Sequence, residues 1–282
     1  MPSLSRSVEI QTRKFSGGSL SEAPDVVAVE EPLEIRVVRQ DGLEPVMTRI
    51  SVTMRTPGND FQLAAGFLFT EGVLESPAQV DGIDYARDVP ADQATNIVNV
   101  VLAPSIAFAP ELVQRNFYTT SSCGICGKGS LEALVIQGCT PPQGASALVA
   151  AEVLCRLPDV LRDRQRVFQE TGGLHAAGLF DAGGTLLALH EDVGRHNALD
   201  KLIGEQFLAG VVPLSDRVLL VSGRTSFELM QKAAMAGIPV VAGVGAPSSL
   251  AVDTARAFGV TLVGFLKRDT FNVYSAPERL RP

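Results

Sequence analysis

The sequence predicts an α/β protein in which a smaller α+β unit precedes a parallel sheet covered by helices. Its 282 residues are 46% hydrophobic and 20% charged, which is ordinary for a globular chain with a substantial core. Two β-rich runs near the N-terminus flank the turn composition Gln40-Asp41-Gly42. The second half alternates short apolar runs with helical patterns, an order typical of parallel strands covered by helices.

The first part of the chain is predicted to be an arm followed by the α+β unit. Residues 1–28 are rich in Ser and Gly and lack periodicity, so we expect a flexible N-terminal arm, with ordered structure beginning at Pro32. The α+β unit is assigned to residues 29–125. Its expected strands cover 33–38, 46–54 and 97–102, and its expected helices cover 61–71 and 111–117.

The remaining residues, 126–282, are assigned to an α/β domain, with a cysteine motif at the junction. The expected strands of this domain cover 175–180, 185–190, 217–221, 239–242 and 260–265, and the first two form a hairpin. The expected helices cover 146–168, 196–208, 226–236 and 248–258.

Charge and hydropathy exclude several classes of protein. The net charge is −7 and the pI about 5.1, so no global basic field attracts nucleic acid or an anionic membrane, and any anionic ligand must be held locally. The N-terminal segment lacks the apolar core of a secretory signal, and other apolar runs stop well short of the ~18 residues that a membrane helix needs. We therefore expect a cytoplasmic protein that binds neither nucleic acid nor membrane.

Two of the four cysteines form the motif Cys123-Gly124-Ile125-Cys126 in a glycine-rich loop before a helix-like run. A nearby helix N-terminus and Lys128 favour the thiolate, which is the nucleophile that attacks a sulfane sulfur. A CxxC motif also serves thioredoxin-like exchange and zinc binding. Here it follows a whole preceding unit and has no second CxxC, so we favour sulfur chemistry. Cys139 and Cys155 are interpreted as small buried hydrophobic residues.

The three histidines allow different roles. His190 and His196 lie among Glu191, Asp192, Arg195 and Asn197, which indicates either a polar rim that passes protons or a helix N-terminus capped for structure. His175 has mostly apolar neighbours and is expected to be a core residue. These histidines are also the candidates for completing a zinc site, which we rank below sulfur chemistry.

The segment Ser222-Gly223-Arg224-Thr225-Ser226 lies between an expected strand and an expected helix. Its backbone N–H groups and Arg224 suit a phosphate group, while Thr225 or Ser226 could instead cap the helix. The run Gly243-Val244-Gly245 lacks the third glycine of a dinucleotide fingerprint and is a weak signal alone.

Several longer motifs together resemble the FdhD/NarQ formate dehydrogenase accessory proteins, and they cover nearly the whole chain beyond the arm. They are PGNDFQLAAGFLFTEGV at 57–73, SCGICGKGSLEAL at 122–134, LHAAGLFD at 174–181, HEDVGRHNALDKLIG at 190–204, SGRTSFELMQKAAMAGIPVVAGVGAPSSLAV at 222–252 and FNVYSAPERL at 271–280.

The resemblance implies a sulfurtransferase that accepts sulfur from a cysteine desulfurase as a persulfide on Cys123. It implies transfer to the bis-guanine-dinucleotide molybdenum cofactor before this cargo enters the formate dehydrogenase catalytic subunit. Cys126 would assist or resolve the persulfide. The resemblance also implies a homodimer and a second domain with the three-layer α/β/α fold of cytidine deaminases. Because the CxxC motif lacks a second ligand pair, we expect no structural metal.

The resemblance further implies that the segment after the last expected strand contacts the cofactor, namely Phe265, Leu266, Lys267, Arg268, Asp269 and Thr270. Ligands of parallel sheets gather beyond the carboxyl ends of strands, and Lys267 and Arg268 supply adjacent cations. The predicted cofactor contacts outside this segment are Ser222, Gly223, Arg224, Thr225 and His196.

Two alternatives stay open at this point. One is a chaperone that binds and protects the cofactor without sulfur transfer. The other is a zinc-dependent nucleobase hydrolase, which the order of residues disfavours because CxxC precedes every histidine and lacks the preceding proline of that enzyme class.

Overall fold

The computed structural model describes residues 5–41, 44–87, 89–90, 93–104 and 148–282. The cysteine motif, Cys139 and the helix predicted over 111–117 lie outside these residues. The strands and helix of the first half are β1 (Ser7–Ser16), β2 (Ser19–Ala28), β3 (Glu31–Asp41), β4 (Glu44–Arg55), α1 (Asp60–Thr70), β5 (Val80–Tyr85) and β6 (Ile97–Leu102).

The α+β unit contains a four-stranded sheet in the order β4-β3-β6-β5. The predicted hairpin of β3 and β4, the helix α1 and the strand β6 are confirmed. Strand β5 was not predicted, because Val80–Tyr85 contains Asp81, Gly82 and Asp84, which are uncommon in strands. It nevertheless pairs antiparallel with β6 at the edge of the sheet.

The expectation that ordered structure begins at Pro32 is wrong. Strands β1 and β2 form an antiparallel hairpin with Gly17 and Gly18 at the turn, where both have positive φ of 60° and 83°. Arg6 fixes the base of the hairpin by donating to the Glu191 carbonyl at 3.0 Å. Most residues of this hairpin are exposed on both faces, so its strands lack the apolar alternation from which a strand is usually recognised.

The second half contains a six-stranded sheet in the order β13-β12-β11-β10-β8-β9, and a short parallel pair joins β7 to β14. Its strands are β7 (Val149–Ala150), β8 (His175–Phe180), β9 (Leu186–Asp192), β10 (Val218–Val221), β11 (Val240–Gly243), β12 (Thr261–Gly264), β13 (Asn272–Ser275) and β14 (Leu280–Arg281). Its helices are α2 (Ala151–Arg162), α3 (Arg166–Thr171), α4 (Arg195–Leu208), α5 (Phe227–Met235) and α6 (Ser249–Ala257).

The pairing of this sheet agrees only in part with the predicted parallel arrangement. Strands β10, β11 and β12 are parallel, and β8 and β9 form the predicted hairpin. The unpredicted strand β13 adds antiparallel to β12 at one edge. The helices expected over 146–168 are α2 and α3, and the short strand β7, which was not predicted, precedes them.

Helices cover both faces of the six-stranded sheet. Side chains alternate along a strand, so Val218 and Leu220 join the apolar cluster of α2, whereas Leu219 and Val221 join that of α4, α5 and α6. The protein is therefore an α/β protein with three layers in its second half. Among the helices of the described residues, none is long and apolar enough to cross a membrane.

Helices α1 and α4 join the two halves through a close crossing of their backbones. A Cβ atom added at Gly66 would lie 1.9 Å from the Asp200 carbonyl oxygen, and one added at Gly204 would lie 1.9 Å from the Gln62 carbonyl oxygen. One apolar cluster runs from the four-stranded sheet through α1 to α4. The predicted domain boundary near residue 125 lies outside the described residues and stays a prediction.

Candidate functional site

The carboxyl ends of four strands lie at one edge of the six-stranded sheet. Strands β9 and β10 are both antiparallel to β8, and β11 and β12 are parallel to β10, so β9 to β12 point in one direction. Helices α4, α5 and α6 begin at this edge, directly after β9, β10 and β11. Helix N-termini carry partial positive charge and unpaired N–H groups. The edge therefore favours an anionic ligand.

The loops after β10 and β11 are hydrogen-bonded to each other along this edge. Thr225 N donates to the Ala246 carbonyl at 3.1 Å, and Gly245 N donates to the Gly223 carbonyl at 3.0 Å. A Cβ atom at Gly243 would lie only 2.6 Å from Thr225 Oγ1. This close contact accounts for a glycine at position 243. The glycine therefore does not need to belong to a dinucleotide-binding fingerprint.

The predicted phosphate segment does not cap helix α5 with a side chain. Ser226 is the N-cap residue, but its hydroxyl makes no capping hydrogen bond and instead lies 3.1 Å from His196 Nε2. Ser222 Oγ accepts a hydrogen bond from Ala176 N at 2.9 Å. Thr225 is buried, and within the described residues its hydroxyl has no hydrogen-bond partner. Arg224 is exposed at the same edge.

The predicted cofactor segment after β12 is anchored to the β11 loop. Phe265 N donates to the Gly245 carbonyl at 3.0 Å, and Leu266 N donates to the Gly243 carbonyl at 3.1 Å. Phe265 has a φ of 53° and is 44% exposed, so its ring is accessible. The Leu266 side chain is 1% exposed and packs in the α2 cluster, which leaves only its backbone near the edge.

A cavity of about 260 Å³ brings two of the predicted segments together between α2 and the edge. Ser222 from the β10 loop and Lys267 and Arg268 from the β12 loop share its wall. Arg268 Nε lies 2.8 Å from Asp159 Oδ2, and both side chains are well exposed. An exposed ion pair of this kind is weak, so Arg268 can exchange partners at little cost. Gly223, Arg224, Thr225, Asp269 and Thr270 are not part of this wall.

His175 lies at the candidate site, and the prediction that it is a core residue is wrong. Because β8 runs antiparallel to β10, the first residue of β8 lies beside the loop that follows β10. A Cβ atom at Gly223 would be 3.2 Å from His175 Nδ1. His175 lines a second cavity of about 270 Å³ together with Ser222. Burial, followed by the charge of Arg195, lowers the pKa of His175.

His196 lies in the first turn of α4 and is neutral at physiological pH. Burial lowers its pKa to about 4, and the charges of Arg195 and Lys232 act in the same direction. Its Nε2 is 3.9 Å from Glu228 Oε2. A ring with this pKa is a weak base, so hydrogen bonding to a ligand suits it better than the predicted passing of protons.

The motif around His190 and His196 was interpreted either as a polar rim or as a helix N-terminus capped for structure. These two interpretations apply to different residues. Glu191 accepts from the backbone N–H groups of Val167 and Phe168 at 3.2 and 2.8 Å, and Asp192 pairs with buried Lys201 at 2.7 Å. These residues are structural, whereas His196 lies at the site edge. Among residues 5–41, 44–87, 89–90, 93–104 and 148–282, no three His, Cys, Asp or Glu side chains gather as metal ligands. Cys123 and Cys126 lie outside that set.

Sequence reasoning missed Arg162 and Gln165, which line both cavities from α2 and the turn after it. They belong to no motif and lie about 60 residues before Ser222 in the chain. Only the packing of α2 against the sheet brings them to the site. The sequence signal available was the apolar face of α2, which indicates that the helix packs on the sheet. This pattern does not identify which polar residues of the helix face the cavity.

The fold and this edge together define a three-layer α/β protein whose geometry favours an anionic ligand. A family model for the FdhD/NarQ family matches residues 28–281, and the chain belongs to this family. It is 50% identical over 275 residues to a protein of Mycobacterium tuberculosis named sulfur carrier protein FdhD, covering 96% of this chain and 97% of that relative. A Sulfurisphaera tokodaii protein of the same name is 42% identical over 256 residues, covering 91% and 92%.

The fold is shared with a solved structure. The crystal structure of a Desulfotalea psychrophila chain described as a formate dehydrogenase accessory protein matches with a TM-score of 0.73. The match covers 98% of this chain and 100% of that chain at 24% sequence identity. At this identity the likeness shows the fold.

Proposed function

We propose that this chain is a sulfur carrier that accepts sulfur from a cysteine desulfurase as a persulfide on Cys123. It delivers this sulfur to the bis-guanine-dinucleotide molybdenum cofactor before the cofactor enters formate dehydrogenase. The observation that carries the proposal is the 50% identity, over 96% of the chain, to proteins named sulfur carrier protein FdhD. Both cysteines of the proposed carrier motif are present.

The sheet edge supports an anionic nucleotide cargo. Three helix N-termini and the cations Lys267, Arg268 and Arg224 surround it in a chain of net charge −7. Arginine guanidinium groups, lysine ammonium groups and helix N-termini are the usual partners of phosphate groups. Neutral His196 can donate a hydrogen bond to the cargo without adding charge. The exposed ring of Phe265 offers a face to a flat base.

The two cysteines have separate parts in the proposed transfer. The sulfane sulfur on Cys123 needs two electrons to leave as sulfide. The Cys126 thiolate supplies them by attacking the Sγ atom of Cys123, and hydrosulfide leaves as the Cys123–Cys126 disulfide forms. A cellular dithiol then reduces the disulfide to two thiols. Without Cys126, an external thiol must perform the same attack.

The test combines mass measurement with activation of the client enzyme. After incubation with a cysteine desulfurase and cysteine, we expect an adduct of about 32 Da on Cys123, as one sulfur atom requires. Cys123→Ala should lack the adduct and fail to activate formate dehydrogenase in a strain without its own accessory protein. Cys155→Ala is the control, because burial raises the pKa of that thiol and its loss should change neither result.

Two outcomes contradict the proposal. Full activation of formate dehydrogenase by Cys123→Ala would remove the persulfide carrier role. Cofactor binding without any adduct on the wild-type chain would instead favour a chaperone that protects the cofactor.

A further inference from the structure

The two cavities at the sheet edge are neighbours that share the same three residues in their walls: Arg162, Gln165 and Ser222. One chamber, of about 260 Å³, extends toward Lys267, and the other, of about 270 Å³, extends toward His175. The two chambers therefore adjoin at the C-terminal end of α2. We call the pair the groove, and we call the part of the shared wall formed by Arg162 and Gln165 its waist.

We infer that Arg162 and Gln165 bind the central diphosphate of a dinucleotide, whose two ring-bearing halves occupy the two chambers. This inference rests on the proposed function, because it names the part of the cargo that these residues hold. A pterin guanine dinucleotide has this chemistry, with one flat ring system on each side of a diphosphate. The guanosine half lies in the chamber that Lys267 lines, beside the predicted cofactor segment.

Arg162 is suited to a phosphate contact because its charge is not neutralised within the described residues. No carboxylate there forms a salt bridge with it, in contrast to Arg268, which pairs with Asp159. Its guanidinium carbon lies 5.3 Å from the centre of the Phe168 ring. This cation–π contact orients the planar fork and leaves its N–H edge free for two parallel hydrogen bonds to phosphate oxygens.

Gln165 lies beside Arg162 in the walls of both chambers. It is 4% exposed, and its side chain does not cap α3. Its amide has two N–H donors, which can bond to phosphate oxygens. A diphosphate at the waist accepts hydrogen bonds from both Gln165 and Arg162.

The experiment is calorimetric titration of the full chain with GDP and with guanosine, which lacks the diphosphate. We expect Arg162→Ala to weaken GDP binding at least about tenfold, equivalent to about 1.4 kcal/mol, and to leave guanosine binding within about twofold. Arg164→Ala is the matched control, since this exposed arginine lies two residues further on and lines neither chamber. Arg164→Ala should bind GDP like the wild type.

Two further variants distinguish the loss of a phosphate contact from misfolding of the protein. Arg162→Lys keeps the charge and loses the planar fork, so its GDP affinity should lie between wild type and Arg162→Ala. Gln165→Leu should weaken GDP binding and not guanosine binding. Equal GDP affinities of Arg162→Ala and Arg164→Ala would overturn the inference, as would a wild-type chain that does not bind GDP.

Measuring the persulfide loading of Cys123 distinguishes a failure of this inference from a failure of the proposed function. Loading uses a different reaction partner, so it should be unchanged in Arg162→Ala. A wild-type chain that binds GDP through Arg162 and never loads sulfur would reject the carrier role and keep the binding site. A chain that loads sulfur, and whose Arg162→Ala variant binds GDP like the wild type, would reject the binding site and keep the carrier role.

Discussion

Gly204 lies where α1 and α4 cross, and one added methyl group there should push these two helices apart. In Gly204→Ala, the added Cβ would lie 1.9 Å from the Gln62 carbonyl oxygen and 2.6 Å from Gly66 N. Both obstacles are backbone atoms, so no change of rotamer relieves the clash. Ordinary contact begins near 3.4 Å, so the helices must move apart by about 1.5 Å at this point.

The expected loss of stability follows from two opposing effects. Overpacking a buried contact costs about 1–3 kcal/mol and sometimes more, and backbone obstacles place this case at the upper end. Alanine recovers about 1 kcal/mol because it is a better helix former than glycine. The net loss is therefore about 2 kcal/mol or more. With an unfolding entropy of about 2.1 cal/mol/K per residue, that corresponds to a fall of roughly 3 °C or more in the Tm of this 282-residue chain.

Thermal and urea unfolding of the full chain measure this loss. Gly82→Ala is the control, because a Cβ atom there would meet nothing within 4 Å, and its stability should stay within about 0.5 kcal/mol of wild type. A Gly204→Ala protein as stable as the Gly82→Ala protein would refute the close backbone crossing. Gly66→Ala should repeat the effect from the opposite helix, since its Cβ would be 1.9 Å from the Asp200 carbonyl.

Two further predictions concern buried charge. Lys232 Nζ lies 3.0 Å from Asp200 Oδ2 and 3.3 Å from Glu71 Oε1, so Lys232→Met should cost about 3–5 kcal/mol of unfolding free energy by leaving Asp200 unpaired. Adding Asp200→Asn should restore part of that loss, and a purely additive double mutant would contradict the pairing. Burial lowers the pKa of His196 from 6.5 to about 4, so the unfolded chain binds more protons between these values. Wild type should therefore lose more stability than His196→Gln as pH falls from 6.5 to 4, and a constant difference would contradict the neutral ring.

The secondary structure that sequence reasoning located correctly has strong local signals. β-rich runs on either side of a turn composition identified β3 and β4, and short apolar runs between helical patterns identified β10, β11 and β12. The N-terminal hairpin and β13 lack such signals, because most residues of the hairpin and half of those of β13 are exposed. Their pairing partners become visible only in three dimensions.

The site was predictable where chain order decides position, and unpredictable where packing decides it. The loops after β10 and β12 were expected to share an edge because their strands are parallel, and Ser222 and Lys267 do line one cavity. The position of His175 depends on β8 being antiparallel, which its apolar neighbours do not indicate. Arg162 and Gln165 depend on how α2 lies across the sheet.

The distribution of cations explains how an acidic chain can offer a local site for an anion. Arg55 is buried and pairs with Asp60 within the first half. Lys201 and Lys232 are buried beside Asp192 and Asp200 in the second half. Both also reach the first half, because Lys201 Nζ donates to the Thr56 carbonyl at 2.7 Å and Lys232 Nζ lies 3.3 Å from Glu71 Oε1. Within the described residues, Arg162, Arg224 and Lys267 form no salt bridge, and all three are exposed at or beside the sheet edge. Exposed charges are screened by salt, whereas the buried pairs are screened much less. Raising the ionic strength should therefore weaken binding of a phosphate-bearing ligand at the edge while leaving the junction between the halves largely intact.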